Sequence, residues 1–130
     1  MPFTIRDIAT GWVECFPVRT KTAEDTAAVL RQFAGPYKIT ELHSDNSKEL
    51  ESACLELRWA QRTSTLGRSR GNGIIEICNR LVLEGARTCL AASGLDQTWW
   101  SYAVRHFTAM WNVSRVNPDG ATAFQRRFNQ

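Results

Sequence analysis

The most constraining feature of this chain is the stretch from Gly73 to Ser93. Its apolar residues Ile74, Ile77, Cys78, Leu81, Val82, Ala86, Cys89 and Leu90 recur every three or four positions. That period marks one face of an α-helix, and Gly94 supplies a residue suited to the left-handed turn that stops it. Near the N-terminus the period shortens to two. Phe3-Thr-Ile-Arg-Asp-Ile alternates apolar and polar, Ala9-Thr-Gly11 offers a turn, and Trp12-Val-Glu-Cys-Phe16 resumes the alternation before Pro17. This predicts a β-hairpin.

Between these segments the punctuation is equally readable. Thr22 stands as an N-cap with Asp25 three residues on, followed by Ala27, Ala28, Val29, Leu30 and Phe33, and Gly35-Pro36 ends the run, so a helix is expected over 23–34. Lys38 to His43 is short and β-compatible, and Ser44-Asp45-Asn46-Ser47 opens a helical stretch from Lys48 to Trp59. The polar, glycine-punctuated segment from Gln61 to Gly73 reads as a loop. A last helix is expected from Asp96 as N-cap to Asn112, with Trp99, Ala103, Phe107, Met110 and Trp111 on its apolar side, and the chain after Arg115 reads as a loop-like tail. Strands come early and helices late, which predicts one α/β domain with a mixed sheet covered by helices.

Composition narrows the class. At 130 residues, 43% hydrophobic and 22% charged, the chain has the apolar content of a packed globule and not of a disordered segment. Met1-Pro-Phe-Thr-Ile-Arg-Asp has no signal-peptide pattern and no apolar run is long enough to span a membrane, so the expected location is intracellular, nuclear or cytoplasmic, with no membrane partner. Cys15, Cys54, Cys78 and Cys89 show no Cys-x-x-Cys spacing, and His43 and His106 are too far from each other and from the cysteines for a zinc motif. Four free thiols, serving as small core residues, are expected.

The net charge of +3 says little, but its distribution says more. From Leu57 to Ile75 the chain carries Arg58, Arg62, Arg68 and Arg70 and no acid. Guanidinium forks suit phosphate oxygens, although a solvated basic loop would have the same composition. On the long helix, Glu76, Asn79, Arg80, Leu83 and Arg87 share a face. That stripe could follow a phosphate backbone, or it could contain only a Glu76–Arg80 ion pair worth about 0.3–0.5 kcal/mol. Asp45 follows a strand, where ligand-binding groups collect in open α/β sheets. A helix and a loop could return Glu76 beside it, and paired carboxylates are the usual donors to Mg²⁺ or Mn²⁺. The alternative roles are a helix cap for Asp45 and a helix-dipole partner for Glu76.

The order of these motifs resembles the catalytic core of retroviral and long-terminal-repeat retrotransposon integrases, within the RNase H-like superfamily. The resemblance rests on Asp7-Ile-Ala-Thr-Gly-Trp-Val-Glu14 with Thr20-Lys-Thr22, on His43-Ser-Asp-Asn46, and on Asn72-Gly-Ile-Ile-Glu-Ile-Cys-Asn79. Arg87-Thr-Cys-Leu90, Gly94-Leu95, Trp99 to Ala103 and Asn112 continue it in a copia-type pattern. It implies an RNase H-like mixed sheet flanked by helices, with residues 1–114 a partial catalytic core and 115–130 a tail leading out of it. It also implies divalent-metal-dependent DNA end processing and strand transfer, with Asp45 and Glu76 matching the second and third acids of a three-acid Mg²⁺ or Mn²⁺ site. Arg68, Arg70, Asn72, Asn79, Arg80 and Arg87 fall where relatives meet DNA.

The same resemblance implies a homodimer, which no residue pattern read here specifies. The first catalytic Asp belongs to a strand preceding the hairpin. On this alignment the chain starts after that strand, so it is expected to be truncated at its N-terminus and inactive alone, and Met1 is open to question as the true start. Asp7 aligns with the turn and is expected to be a turn or strand-end residue. Gly67-Arg-Ser-Arg-Gly71 lacks the Pro-Gln pair that relatives carry, and Ile77-Cys78 replaces residues that are commonly polar or basic. A nucleic-acid-binding remnant without chemistry, or a host-recruited protein on the same fold, is the alternative.

Overall fold

A computed structural model describes residues 2–20, 22–44, 47–63 and 70–129, with backbone alone at 63 and 70–72. The chain divides into two compact units, Val18–Glu76 and Pro2–Pro17 with Ile77–Gln130.

In the first unit, α1 spans Ala23–Ala34. The Thr22 hydroxyl accepts from the Asp25 N–H at 3.1 Å, satisfying one of the donors a helix start leaves open. Gly35 takes φ 56°, and its N–H donates to the Arg31 carbonyl, which ends the helix. Hydrogen bonds from Thr20 and then Thr22 hold the Asp25 carboxyl below its ordinary range. Ala27, Leu30 and Phe33 of α1 are buried, and α1 packs on α2, Lys48–Leu57. Arg31 pairs with Glu56 at 2.7 Å on the exposed rim of that contact.

The strands of this unit are β3, Glu41–Ser44, and β4, Ala60–Thr63, parallel in the register Leu42↔Gln61 and Ser44↔Thr63. A parallel pair needs a crossover, and α2 provides it. The helix stops because Arg58 turns left-handed at φ 60° and the Trp59 N–H reaches back to the Cys54 carbonyl at 2.9 Å. The expected loop over 61–73 is therefore corrected at both ends, since Ala60–Thr63 is a strand and the long helix begins at Arg70. The polar, non-alternating sequence of Ala60–Thr63 hid β4, because what makes it a strand is pairing to β3 and not a buried face.

The second unit opens with the expected hairpin, here β1, Pro2–Arg6, and β2, Val13–Pro17, antiparallel with Ile5 opposite Glu14. Asp7 organises its turn. The Asp7 carbonyl accepts from the Gly11 N–H at 2.8 Å, and the carboxylate accepts from the Ala9 N–H and the Thr10 hydroxyl at 3.1 and 2.9 Å. Gly11 sits at φ 79°, a conformation that suits a residue without Cβ.

From Ile77 on, α3, Arg70–Ser93, buries Cys78, Val82 and Ala86. The Phe107 ring presses so closely on Gly85 that a Cβ there would stand 2.1 Å from it. Phe107 belongs to α4, Trp100–Ser114, which a 3-10 turn at Gln97–Trp99 capped by Asp96 introduces. Helix α4 packs on β2, where the Asn112 side chain, 1% exposed, accepts from the Val13 N–H at 2.9 Å and donates to the Val13 carbonyl at 2.7 Å.

Two expectations for this unit are corrected. Trp99 and Met110, assigned to the apolar side of the last helix, are exposed, because Ala103, Val104, Thr108 and Asn112 form its buried arc. The segment after Arg115 is not a loop-like tail. Val116 bridges to Thr122, and α5, Ala123–Phe128, follows with a capping box between Thr122 and Gln125. Its Phe124 and Phe128 rings lie 6.3 and 5.4 Å from Trp12, and the Arg127 guanidinium stands 5.1 Å over that indole. The described strands form two two-stranded sheets, where one mixed sheet was expected. Alternation reveals which residues are strands, while sheet membership depends on partners distant in sequence.

Asn112→Ala should destabilise the protein by about 1–3 kcal/mol in urea unfolding, because both backbone groups of buried Val13 lose their partner. Gly85→Ala should cost a similar amount, about 1–3 kcal/mol, by overpacking against Phe107. The Asp25 contribution has the sign of a depressed carboxyl: it is complete above the ordinary value of 3.8 and lost as pH falls through the lower folded value. Thr20→Val should therefore lower the melting temperature at neutral pH and leave it unchanged at pH below the folded value.

Candidate metal and nucleic-acid site

The parallel pair β3–β4 brings two carboxyl ends together, Ser44 beside Thr63. The Gln61 amide donates to the Ser44 hydroxyl at 2.9 Å, tying the strands at that end. Asp45 itself lies outside the described residues, as does the segment 64–69 that contains Arg68. The elements flanking Asp45 are described. Ser44 closes β3, and Ser47 caps α2, its hydroxyl accepting from the Leu50 N–H at 3.4 Å.

Glu76 is exposed on α3. The helix starts at Arg70 and has no acid in its first turn, so Glu76 stands in the second turn and the helix-dipole role is corrected. The Glu76–Arg80 ion pair does not form. Among the described residues the ion pairs are Arg31–Glu56, Arg62–Glu41 and Arg126–Asp119. Asn79, Arg80 and Arg87 are exposed, while Cys78, Val82 and Ala86 face inward. The helix thus commits one side to packing and leaves the other side chains free of structural duty.

The arginine-rich segment is not the single basic loop its composition implied. Arg58 is the C-cap residue of α2, and Arg62 on β4 pairs with Glu41 at 2.7 Å. Arg70 and Asn72 belong to the first turns of α3 by their backbone, and their side chains lie outside the described residues. Sequence reading missed Gln61 as a strand-end residue because it was placed in the loop.

The donor set determines what such a site could hold. Asp45 and Glu76 are both carboxylates, whose hard oxygens suit Mg²⁺ or Mn²⁺. Among the described residues no group of three or more His, Cys, Asp or Glu side chains is placed to hold a metal ion. The four cysteines are free thiols. Burial pushes the Cys15, Cys54 and Cys78 thiols up, away from the thiolate a soft metal would need. Among the described residues no helix is long and apolar enough to cross a membrane.

An exposed residue with no partner adds little to stability. Glu76→Gln and Arg80→Ala are each expected to shift unfolding free energy by no more than about 0.5 kcal/mol, read from denaturant midpoints. A larger loss would mean that these side chains are structural.

No family model matches the sequence. Among solved structures, the catalytic core domain of BIV integrase superimposes with a TM-score of 0.72 over 97% of this chain and 84% of that one, at 19% sequence identity. The chain therefore has the fold of an integrase catalytic core domain.

Proposed function

We propose that this chain is an integrase-type DNA-processing module in which Asp45 and Glu76 hold Mg²⁺ or Mn²⁺ and the exposed side of α3 meets DNA. The observation that carries the reading is the agreement between motif order and fold. Asp45 directly follows β3 of a parallel β-α-β unit, and Glu76 lies on the long helix, within a fold shared with an integrase catalytic core. The RNase H-like and copia-type assignments rest on the motif pattern alone.

A divalent ion bound at such carboxylates supplies Lewis-acid polarisation of a phosphodiester and lowers the pKa of an attacking hydroxyl. The chain's own residues have distinct tasks. Glu76 offers a carboxylate oxygen from a rigid helix. The Asn79 amide can donate to a phosphate oxygen, and Arg80 and Arg87, about 10 Å apart along the helix axis, neutralise successive phosphates. DNA binding without chemistry is the second reading.

Calorimetric titration of Mn²⁺ into the native chain, Asp45→Asn and Glu76→Gln separates these readings. Binding by the native chain that both variants lose is the expected result, and any Mn²⁺-dependent nicking of duplex DNA should be abolished by Glu76→Gln. Nicking that survives Glu76→Gln would overturn the catalytic assignment. DNA affinity should fall steeply with salt, and Arg80→Ala and Arg87→Ala should each flatten the log–log slope by about 1. Salt-insensitive binding would remove the phosphate contacts from the proposal.

A further inference from the structure

The side of α3 turned away from buried Cys78, Val82 and Ala86 is mixed in its chemistry. At 100° per residue Gly73, Ile77, Arg80, Glu84 and Arg87 share one sector of the helix, about 80° wide. Ile77, Arg80, Glu84 and Arg87 are all exposed. A single exposed apolar residue is ordinary on a protein surface. Two observations set Ile77 apart.

The first is that folding gives little reason for an isoleucine there. A β-branched side chain is a poorer helix former than alanine, leucine or glutamate, and at 69% exposure Ile77 recovers little by burial. The second is Gly73, one turn earlier in the same sector. At Gly85 the Phe107 ring leaves no space for a Cβ, whereas a Cβ on Gly73 would meet nothing within 4 Å. No contact among the described residues demands that glycine, and within a helix it costs stability relative to alanine. Bare backbone beside a short, stiff apolar side chain suits the close approach of a partner.

The arginines carry their charge further from the helix than Ile77 carries its methyl groups. A duplex whose phosphates they hold therefore presents its base edges to Ile77 only when the helix lies deep in a groove, and the missing side chain at Gly73 permits that. The major groove admits an α-helix, and the apolar group on its floor is the thymine 5-methyl. Glu84 fits the same arrangement, since a carboxylate is repelled by phosphates but accepts from the amino group of cytosine.

We propose that Ile77 is a base-reading residue. With α3 in the major groove, Arg80 and Arg87 hold phosphates, Gly73 lets the backbone close in, and Ile77 packs on a thymine 5-methyl group. The chain then prefers thymine to uracil or cytosine at that position, because phosphate contacts position the helix and base contacts specify the sequence. The inference rests on the DNA contact proposed above for α3 and adds the group on the DNA that is read.

Fluorescence anisotropy on the full chain, with an alternating dA-dT duplex and its dA-dU counterpart, isolates the methyl group because the base pairing is the same. The native chain is expected to bind the thymine duplex about fourfold more tightly, the factor that burying one methyl group corresponds to. Ile77→Ala should bind both duplexes alike, and Arg80→Ala should weaken both while keeping the ratio. Gly73→Leu should also lose the ratio, by lifting the helix from the groove. Neither position is packed, so Ile77→Ala and Gly73→Leu should keep the native circular dichroism and melting temperature. A native chain that binds neither duplex would overturn this inference together with the DNA reading. Equal binding of the two by the native chain would overturn this inference and leave the DNA reading standing, and a ratio that survives Ile77→Ala would remove the assignment from Ile77.

Discussion

The second unit is organised by one side chain. Asn112 satisfies both backbone groups of Val13 with two hydrogen bonds of 2.9 and 2.7 Å in a buried setting. A buried amide with two lone-pair and two donor directions tolerates little rotation once both ends are engaged, because an unmade bond there costs its full desolvation. The bond pair therefore fixes the rotation of α4 about its own axis. With Asn112 turned to β2, Ala103, Val104 and Thr108 are carried inward, and Trp99, Tyr102, Met110 and Val113 are carried out. The exposed stripe on α4 is thus a consequence of a polar contact on the opposite side of the helix.

The long helix α3 shows the same division in another form. Cys78, Val82 and Ala86 pack inward, and Gly85 admits the Phe107 ring to a distance that any Cβ would forbid. The residues of the candidate site on this helix, Glu76, Asn79, Arg80 and Arg87, are all exposed. Stability does not explain them, since exposed charges without partners contribute little. The proposed function would give them a task that folding does not, with a phosphate or a hard cation as the partner.

The first unit was largely legible because its determinants are local. Thr22 caps α1 through an N–H three residues away, and Gly35 ends the helix four residues beyond its acceptor. Such signals are complete within a turn of chain. What could not be read were features whose partners are remote: β4, a strand only because β3 lies beside it, and Arg62, which composition placed in a basic loop and which pairs with Glu41. The helix α5 carried a local signal, Thr122 with Gln125, that was overlooked. Its position was not local, since Phe124 and Phe128 pack on Trp12 near the other end of the sequence.

By itself the sequence determined the hairpin, the helices and their caps, because hydrophobic period and capping chemistry act over three to five residues. It also carried the motif order on which the proposed role of Asp45 and Glu76 rests, a reading that came through resemblance and not through geometry. Only the tertiary structure decided which strands pair, that Ser47 takes the cap next to Asp45, and which side of α4 is turned outward. The physical reason is that backbone groups and apolar faces must be satisfied across the whole chain at once, and many partners are compatible with any one local pattern. The choice among them is made by the sum of distant contacts, with Asn112 on Val13 the clearest instance.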